Sequence, residues 1–281
     1  MSNSDVSNSR RMIIALELAG ISHGTTKAAI ELLESGVATT ARIVTVGPWA
    51  NFAARHLAPF DCGVSLVFTS ENPLFPLSPI TASPSLTDGR GFFPSSRAEF
   101  WDFAEHGEVL RECRAQIERA IDFGIKPTHI SSLDDALVLR PEFFDVFTEV
   151  ASEFKLALNP GRNSTITSAG YSPREIIADE DLLAPDTSLN FSDMNLNSTI
   201  EALMSLEKVI SLLGEGVCEL SVEAAIETHE TIARFGLERV AAQRYSLEVL
   251  ESDRARVLML ENQVETVTYQ SLLDGPSTNN R

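Results

Sequence analysis

Met12-Ile-Ile-Ala-Leu-Glu-Leu-Ala-Gly20 is the stretch on which the fold turns. Five apolar residues in a row, Met12–Leu16, read as a strand. Downstream, Thr26–Ser35 carries Ala29, Ile30 and Leu33 at helical spacing and stops at Gly36, and Ala41–Val46 reads as a second strand. Strand, helix, strand in some 35 residues is one parallel β-α-β unit.

The same rhythm continues outward. Asn51–Leu57 predicts a short helix, Val64–Phe68 a third strand, Ala98–Phe123 one long amphipathic helix, and Thr128–Ser132 a strand. Pro141 opens a helix to about Phe154, followed by strands at Leu156–Leu158 and Ser188–Phe191. Helix Ser198–Leu213, strand Val217–Val222, helices within 226–260 and strand Glu265–Tyr269 close the pattern. Two segments break it: 70–96, with five prolines, and the Ser/Pro/Asp-rich 159–186. The expected architecture is a single α/β domain, a distorted (β/α) barrel of seven or eight mostly parallel strands over residues 12–274. An open doubly wound sheet has the same element order. A polar, disordered tail is expected over 1–11 and a short tail over 275–281.

Composition narrows the partners. The chain has 281 residues, and 22 Lys+Arg against 40 Asp+Glu give a formal charge of −18. Such a surface repels phosphate backbones and anionic lipid, so neither nucleic acid nor membrane is an expected partner. Cys62, Cys113 and Cys218 form no CxxC pair, and no apolar signal or membrane segment is read near the start, so the cytoplasm is the expected compartment. The common catalytic motifs are missing: no Walker loop, no dinucleotide fingerprint, no G-x-S-x-G elbow. The five histidines are at least 23 residues apart, so none pairs locally into a metal clip.

Active sites of both candidate architectures lie at the carboxyl ends of strands. There the sequence offers Glu17, interrupting an apolar run where a charge is costly unless used or paired, Asp134 and Asp135 after the fourth strand, and Glu223 after Glu219-Leu-Ser-Val222. Each has an ordinary alternative: an Asp pair shapes turns, and a glutamate at a helix start complements its dipole.

At these positions the chain resembles the YdjC-like family of carbohydrate deacetylases. Ile14–Gly20 falls where that family has N-A-D-D-F-G; Gly63-Val-Ser-Leu-Val-Phe-Thr69 is similar to its G-x-H-L-x-L-T segment. Pro84-Ser-Leu-Thr-Asp-Gly-Arg-Gly-Phe92 looks like its P-S-L-x-D loop, Gly124-Ile-Lys-Pro-Thr-His-Ile130 its fourth-strand entry, and Gly216-Val-Cys-Glu-Leu-Ser-Val222 its G-x-x-E-L-M-V strand. The resemblance implies a barrel that removes N-acetyl groups from amino sugars, using a divalent metal held by one Asp and two His with a second Asp as base. This chain departs from that set throughout. Glu17-Leu18 stands for the Asp pair, Ser65 for the histidine of G-x-H-L, Leu133-Asp134-Asp135 for the histidine run, and Glu223-Ala224 for the His-Pro. His129 is retained but precedes the ligand run.

Two readings follow. In the first the chain is a non-catalytic descendant without cofactor, a sugar-binding or regulatory module acting as a homo-oligomer or beside an active relative. In the second, Glu17, Asp134, Asp135 and Glu223 form a rebuilt acidic site for Mg or Mn, with Glu17 as catalytic base. Both place Glu17, Ser65, His129, Asp134, Asp135 and Glu223 around one cleft for an amino sugar or oligosaccharide. Both expect the loop 70–96 to cover the strand ends. The first expects Arg162 or Arg174 to neutralise the carboxylates.

Overall fold

A computed structural model of the chain describes residues 10–162, 169–194 and 196–275. The expected tails therefore lie outside the described residues, apart from positions 10, 11 and 275.

Among the described residues eight strands form one parallel sheet: β1 (Arg10–Ala19), β2 (Thr40–Ile43), β3 (Cys62–Leu66), β4 (His129–Ser132), β5 (Ala157–Leu158), β6 (Thr187–Asn190), β7 (Gly216–Val222) and β8 (Val264–Thr266). Their order is β5-β4-β3-β2-β1-β7-β6, with β8 paired to the start of β1 below β2. Around it lie α1 (His23–Glu34), α2 (Ala50–Leu57), α3 (Arg97–Phe103), α4 (His106–Asp122), α5 (Pro141–Phe154), α6 (Pro173–Asp179), α7 (Thr199–Leu212), α8 (His229–Phe235), α9 (Leu237–Glu251), α10 (Asp253–Glu261) and α11 (Tyr269–Leu273). Among the described residues no ladder joins β5 to β6. The expected barrel is thus a half-barrel, a curled parallel sheet that stays open on one side.

Strand β1 shows why the run at its heart is continuous rather than alternating. Met12, Ile14 and Leu16 enter the large core beneath the helices. Ile13 and Ala15 point the other way, into the lumen, where they meet Ala157, Val217 and Tyr269. Successive strand side chains point to opposite faces, and both faces are dry. Tyr269, the first residue of α11, stoppers the lumen below the strand ends. None of the described helices is long and apolar enough to cross a membrane.

One helix reading needs correction. The expected single helix over 98–123 is broken into α3 and α4 at Ala104 and Glu105, whose backbones are extended (ψ 128° and 131°). The Glu105 amide donates to the Ser85 hydroxyl at 3.0 Å instead of continuing the helix, so a tie to the preceding loop outweighs the apolar periodicity. The helices expected within 226–260 are α8, α9 and α10, parted at Gly236, whose φ of +81° favours glycine, and at Ser252, which caps α10 by accepting from the Ala255 amide.

Loop 70–96 is anchored at both levels of the molecule. Leu77, Leu86 and Phe93 are buried in the core. Glu112 of α4, itself fully buried, accepts from the Ile80 amide, the Thr81 amide and the Thr81 hydroxyl at 2.7–3.1 Å. Residues 69–77 lie over the strand ends, against Leu18, Leu133 and α8. The remainder follows α4 rather than covering the sheet, so the expected lid is confined to the first third of the segment.

Candidate functional site

The chain leaves β1 through Leu18, at φ +65°, and leaves β4 through Asp134 and Asp135, both at φ +55°. Asp tolerates this left-handed conformation because its short side chain bonds locally; for a leucine it costs about 1–2 kcal/mol. Buried Thr25 helps to hold the β1 turn: its hydroxyl donates to the Leu18 carbonyl at 2.9 Å. The Leu18 side chain lies in the core and borders a side cavity of about 500 Å³.

Between the strand ends opens a cavity of about 470 Å³. Glu17, Asp134, Asp135 and Glu223 all line it, although 206 positions separate the first from the last. Ser65 and His129 do not. Ser65 is fully buried, in register with Ser131, which does line the cavity. His129 sits one inward step lower on β4, where Arg42 and Tyr269 already fill the lumen. Its ring stacks on Tyr269 with centroids 3.7 Å apart and planes 7° from parallel, and lies against Gly63, where a Cβ would come within 2.5 Å of the imidazole. Burial, followed by the Arg42 charge, pushes its pKa well below the usual value. A neutral histidine packed this way is a wall of the lumen, and placing it in the cleft is corrected.

The centre of the site is a residue to which sequence reading assigned no role. Arg42, inward-facing on β2 and 1% exposed, sends its guanidinium across the lumen. It donates to Glu17, to Glu219 at 2.5 Å, to Ser221 at 3.2 Å and to Tyr269 at 3.4 Å. Glu219 also accepts from Asn159 at 2.6 Å and from the Tyr269 hydroxyl. Burial works to lower the Arg42 pKa, but Glu17 and Glu219 outweigh it and hold the value well above the usual one. Burial likewise works to raise Glu219; Arg42, Ser221 and Tyr269 overcome it and the carboxyl ends below its ordinary value. For Glu17 burial prevails, and its pKa is raised despite Arg42. The signal for Arg42 was the one used for Glu17: a charge inside an apolar strand, Ala41–Val46, must be paired or used.

The other carboxylates are similarly engaged. Glu223 accepts a two-pronged contact from Arg239 of α9 at 2.7 and 2.9 Å and a bond from Gln243 at 3.0 Å. Burial opposes these partners, which nevertheless hold its pKa below the usual range. Asp135 accepts from Arg162 at 3.1 Å, and Arg162 also reaches Asp193 at 3.0 Å. Asp134 accepts from the Thr69 hydroxyl at 3.1 Å. Of the two arginines expected to neutralise the site, Arg162 does so. Arg174 donates to the Pro185 carbonyl at 2.7 Å and lies outside the cavity lining.

This donor set does not fit a divalent cation. Glu17, the carboxylate nearest the position of a metal-binding pair, is held by a guanidinium, whose positive charge would repel an ion placed beside it. Leu18 has no donor atom. Among the described residues no group of three or more His, Cys, Asp or Glu side chains is placed to hold a metal.

A family model described as YdjC-like protein matches residues 13–261. A carbohydrate deacetylase of Thermus thermophilus is 37% identical over 117 residues, 42% of this chain and 42% of that protein. One from Geobacillus stearothermophilus is 32% identical over 158 residues, 55% of this chain and 61% of the relative. The chain thus matches about half the length of these curated relatives. Among solved structures, a proposed cellobiose-phosphate cleavage protein from Enterococcus faecalis V583 superimposes with a TM-score of 0.80 at 25% identity, covering 94% of this chain and 99% of that one.

Proposed function

This chain belongs to the YdjC-like family, and we propose that it retains the family's sheet and strand-end cleft as a carbohydrate-binding module that does not hydrolyse N-acetyl groups. The observation that carries this reading is Arg42. Amide hydrolysis by a metal enzyme needs a Lewis acid to polarise the carbonyl and to lower the pKa of a bound water. Here a buried guanidinium lies where positive charge is needed to balance Glu17 and Glu219. Being fixed by four partners, it answers the charge of the strand ends from within the chain. A general base must also be free to take a proton, and Glu17 is tied to that guanidinium.

The cleft still suits a polyol. Ser131, Asn159, Asn190, Ser192, Ser221 and Ser246 line it with hydroxyls and amides, groups that donate and accept with sugar hydroxyls without a net charge. The named activity of the relatives makes a carbohydrate the natural ligand class. An assembly with an active relative, or with a second copy, would give such a module its role.

The test uses the purified full chain. Elemental analysis should find no stoichiometric metal, Mg or Mn should leave the melting temperature unchanged, and N-acetylated chito-oligosaccharides should release no acetate. A metal-dependent rise in melting temperature together with acetate release would overturn the proposal and make the acidic residues a rebuilt catalytic site.

A further inference from the structure

Helix α7 is apolar on both of its faces. Ala202, Leu206 and Ile210 are buried in the core, while Ile200, Met204 and Leu212 point outward and are 73%, 62% and 69% exposed. Beside the outward stripe runs a groove of about 870 Å³, lined by Met204, Val209 and Leu212 of α7, by Leu189 of β6 and by Met194. Strand β6 is the edge at the open side of the sheet: it pairs with β7, and its second edge carries no ladder among the described residues. Exposed apolar surface of this kind marks a docking face, and an open strand edge is normally covered.

The charges of the groove say what covers it. Glu201 and Lys208 both line it, seven positions apart, which is two helical turns and about 10 Å along the axis. Among the described residues neither is in an ion pair; the Glu201 carboxylate accepts a neutral bond from the Asn197 side chain at 3.0 Å. Asp193, the remaining charge of the groove, is answered by Arg162 at 3.0 Å. An acidic and a basic residue on either side of Met204 make the face complementary to itself. Turned over about a two-fold axis between Met204 and Ser205, α7 of a second copy sets its Lys208 against Glu201 and its Glu201 against Lys208. The two Met204 side chains then meet at the centre, and each Leu212 reaches the first turn of the other helix, where Ile200 is exposed. The formal charge of −18 on each copy opposes association in general, so a contact between copies needs a face that is apolar and locally neutral, as this one is.

We propose that this face pairs two copies of the chain, α7 antiparallel to α7, with Glu201 of each copy against Lys208 of the other. The inference does not rest on the carbohydrate-binding reading. Association is measured without sugar, and its failure leaves that reading in place.

Sedimentation velocity of the full chain from about 10 nM to 100 μM, with fluorescence detection at the dilute end, spans the affinities usual for such interfaces. A concentration-dependent dimer is expected. Lys208→Glu puts a carboxylate against Glu201 at two symmetry-related contacts; each should weaken the dimer about tenfold, and the two together about a hundredfold. Glu201→Lys does the same with two ammonium groups. The double variant Glu201→Lys/Lys208→Glu restores both pairs in reverse and should dimerise like the parent, a recovery specific to the antiparallel register. Met204→Asp, which sets two carboxylates face to face at the axis, should leave a monomer. All three positions are exposed, so these variants keep the fold, which circular dichroism checks. A chain that stays monomeric throughout, a dimer that the single variants leave unchanged, or a double variant as weak as the single ones would overturn the inference.

Discussion

Replacing Arg42 by Met tests the centre of the site most directly. The substitution keeps the aliphatic stem and removes the guanidinium, so Glu219, fully buried, and Glu17, 15% exposed, lose their common partner. Breaking a buried ion pair by removing one member costs about 3–5 kcal/mol, because the other member stays buried and uncompensated. For a chain of this size that lowers the melting temperature by on the order of 10 °C. The pH dependence carries the finer test. In the native protein Glu219 has a depressed pKa, so its stabilising contribution is present above the ordinary carboxylate value and lost as pH falls through the folded one. Glu17, raised by burial, has the opposite sign: its contribution is complete below the ordinary value and fades as pH rises. Without Arg42 both carboxyls are governed by burial and both pKa values rise. Arg42→Met should therefore come nearest to the parent in acid and fall furthest behind at neutral pH. Adding Glu17→Gln and Glu219→Gln to it should recover most of the loss, since an uncharged lumen no longer needs the cation. Urea denaturation followed by circular dichroism across pH gives the measurement. A deficit below about 1 kcal/mol at neutral pH, or one independent of pH, would refute the assignment of Arg42 as the counter-charge of the strand ends.

Two further outcomes check the frame around the site. Gly63→Ala should cost about 1–3 kcal/mol, since its Cβ would meet the His129 ring at 2.5 Å and that ring is clamped by Tyr269; in a His129→Ala background the same change should cost little, and chemical denaturation of the pair decides it. Glu112→Ala should destabilise the protein by about 3 kcal/mol and speed protease cleavage within residues 72–92, because three donors of Ile80 and Thr81 lose their acceptor together; unchanged proteolysis would show that Leu77, Leu86 and Phe93 hold the loop by themselves.

The apolar run at 12–16, the helix after it and the repetition of that unit by themselves determined a parallel α/β sheet with its carboxylates at the strand ends. Side-chain direction alternates along a strand, and a charge that interrupts a buried run must be used or paired; both are local facts, legible without coordinates. Glu17, Asp134, Asp135 and Glu223 were found that way and do share a cavity. Whether the sheet closes was not legible, because closure depends on whether β5 and β6 come within hydrogen-bonding reach, and among the described residues no ladder joins them. The break at Ala104–Glu105 was hidden because helical periodicity runs through it; only the contact with Ser85 reveals it. Above all, only the tertiary structure decided which cation answers the carboxylates. Arg42 meets Glu17 at a separation of 25 residues and Glu219 at 177, and the pairing is set by the distance across the lumen, to which no spacing along the chain corresponds.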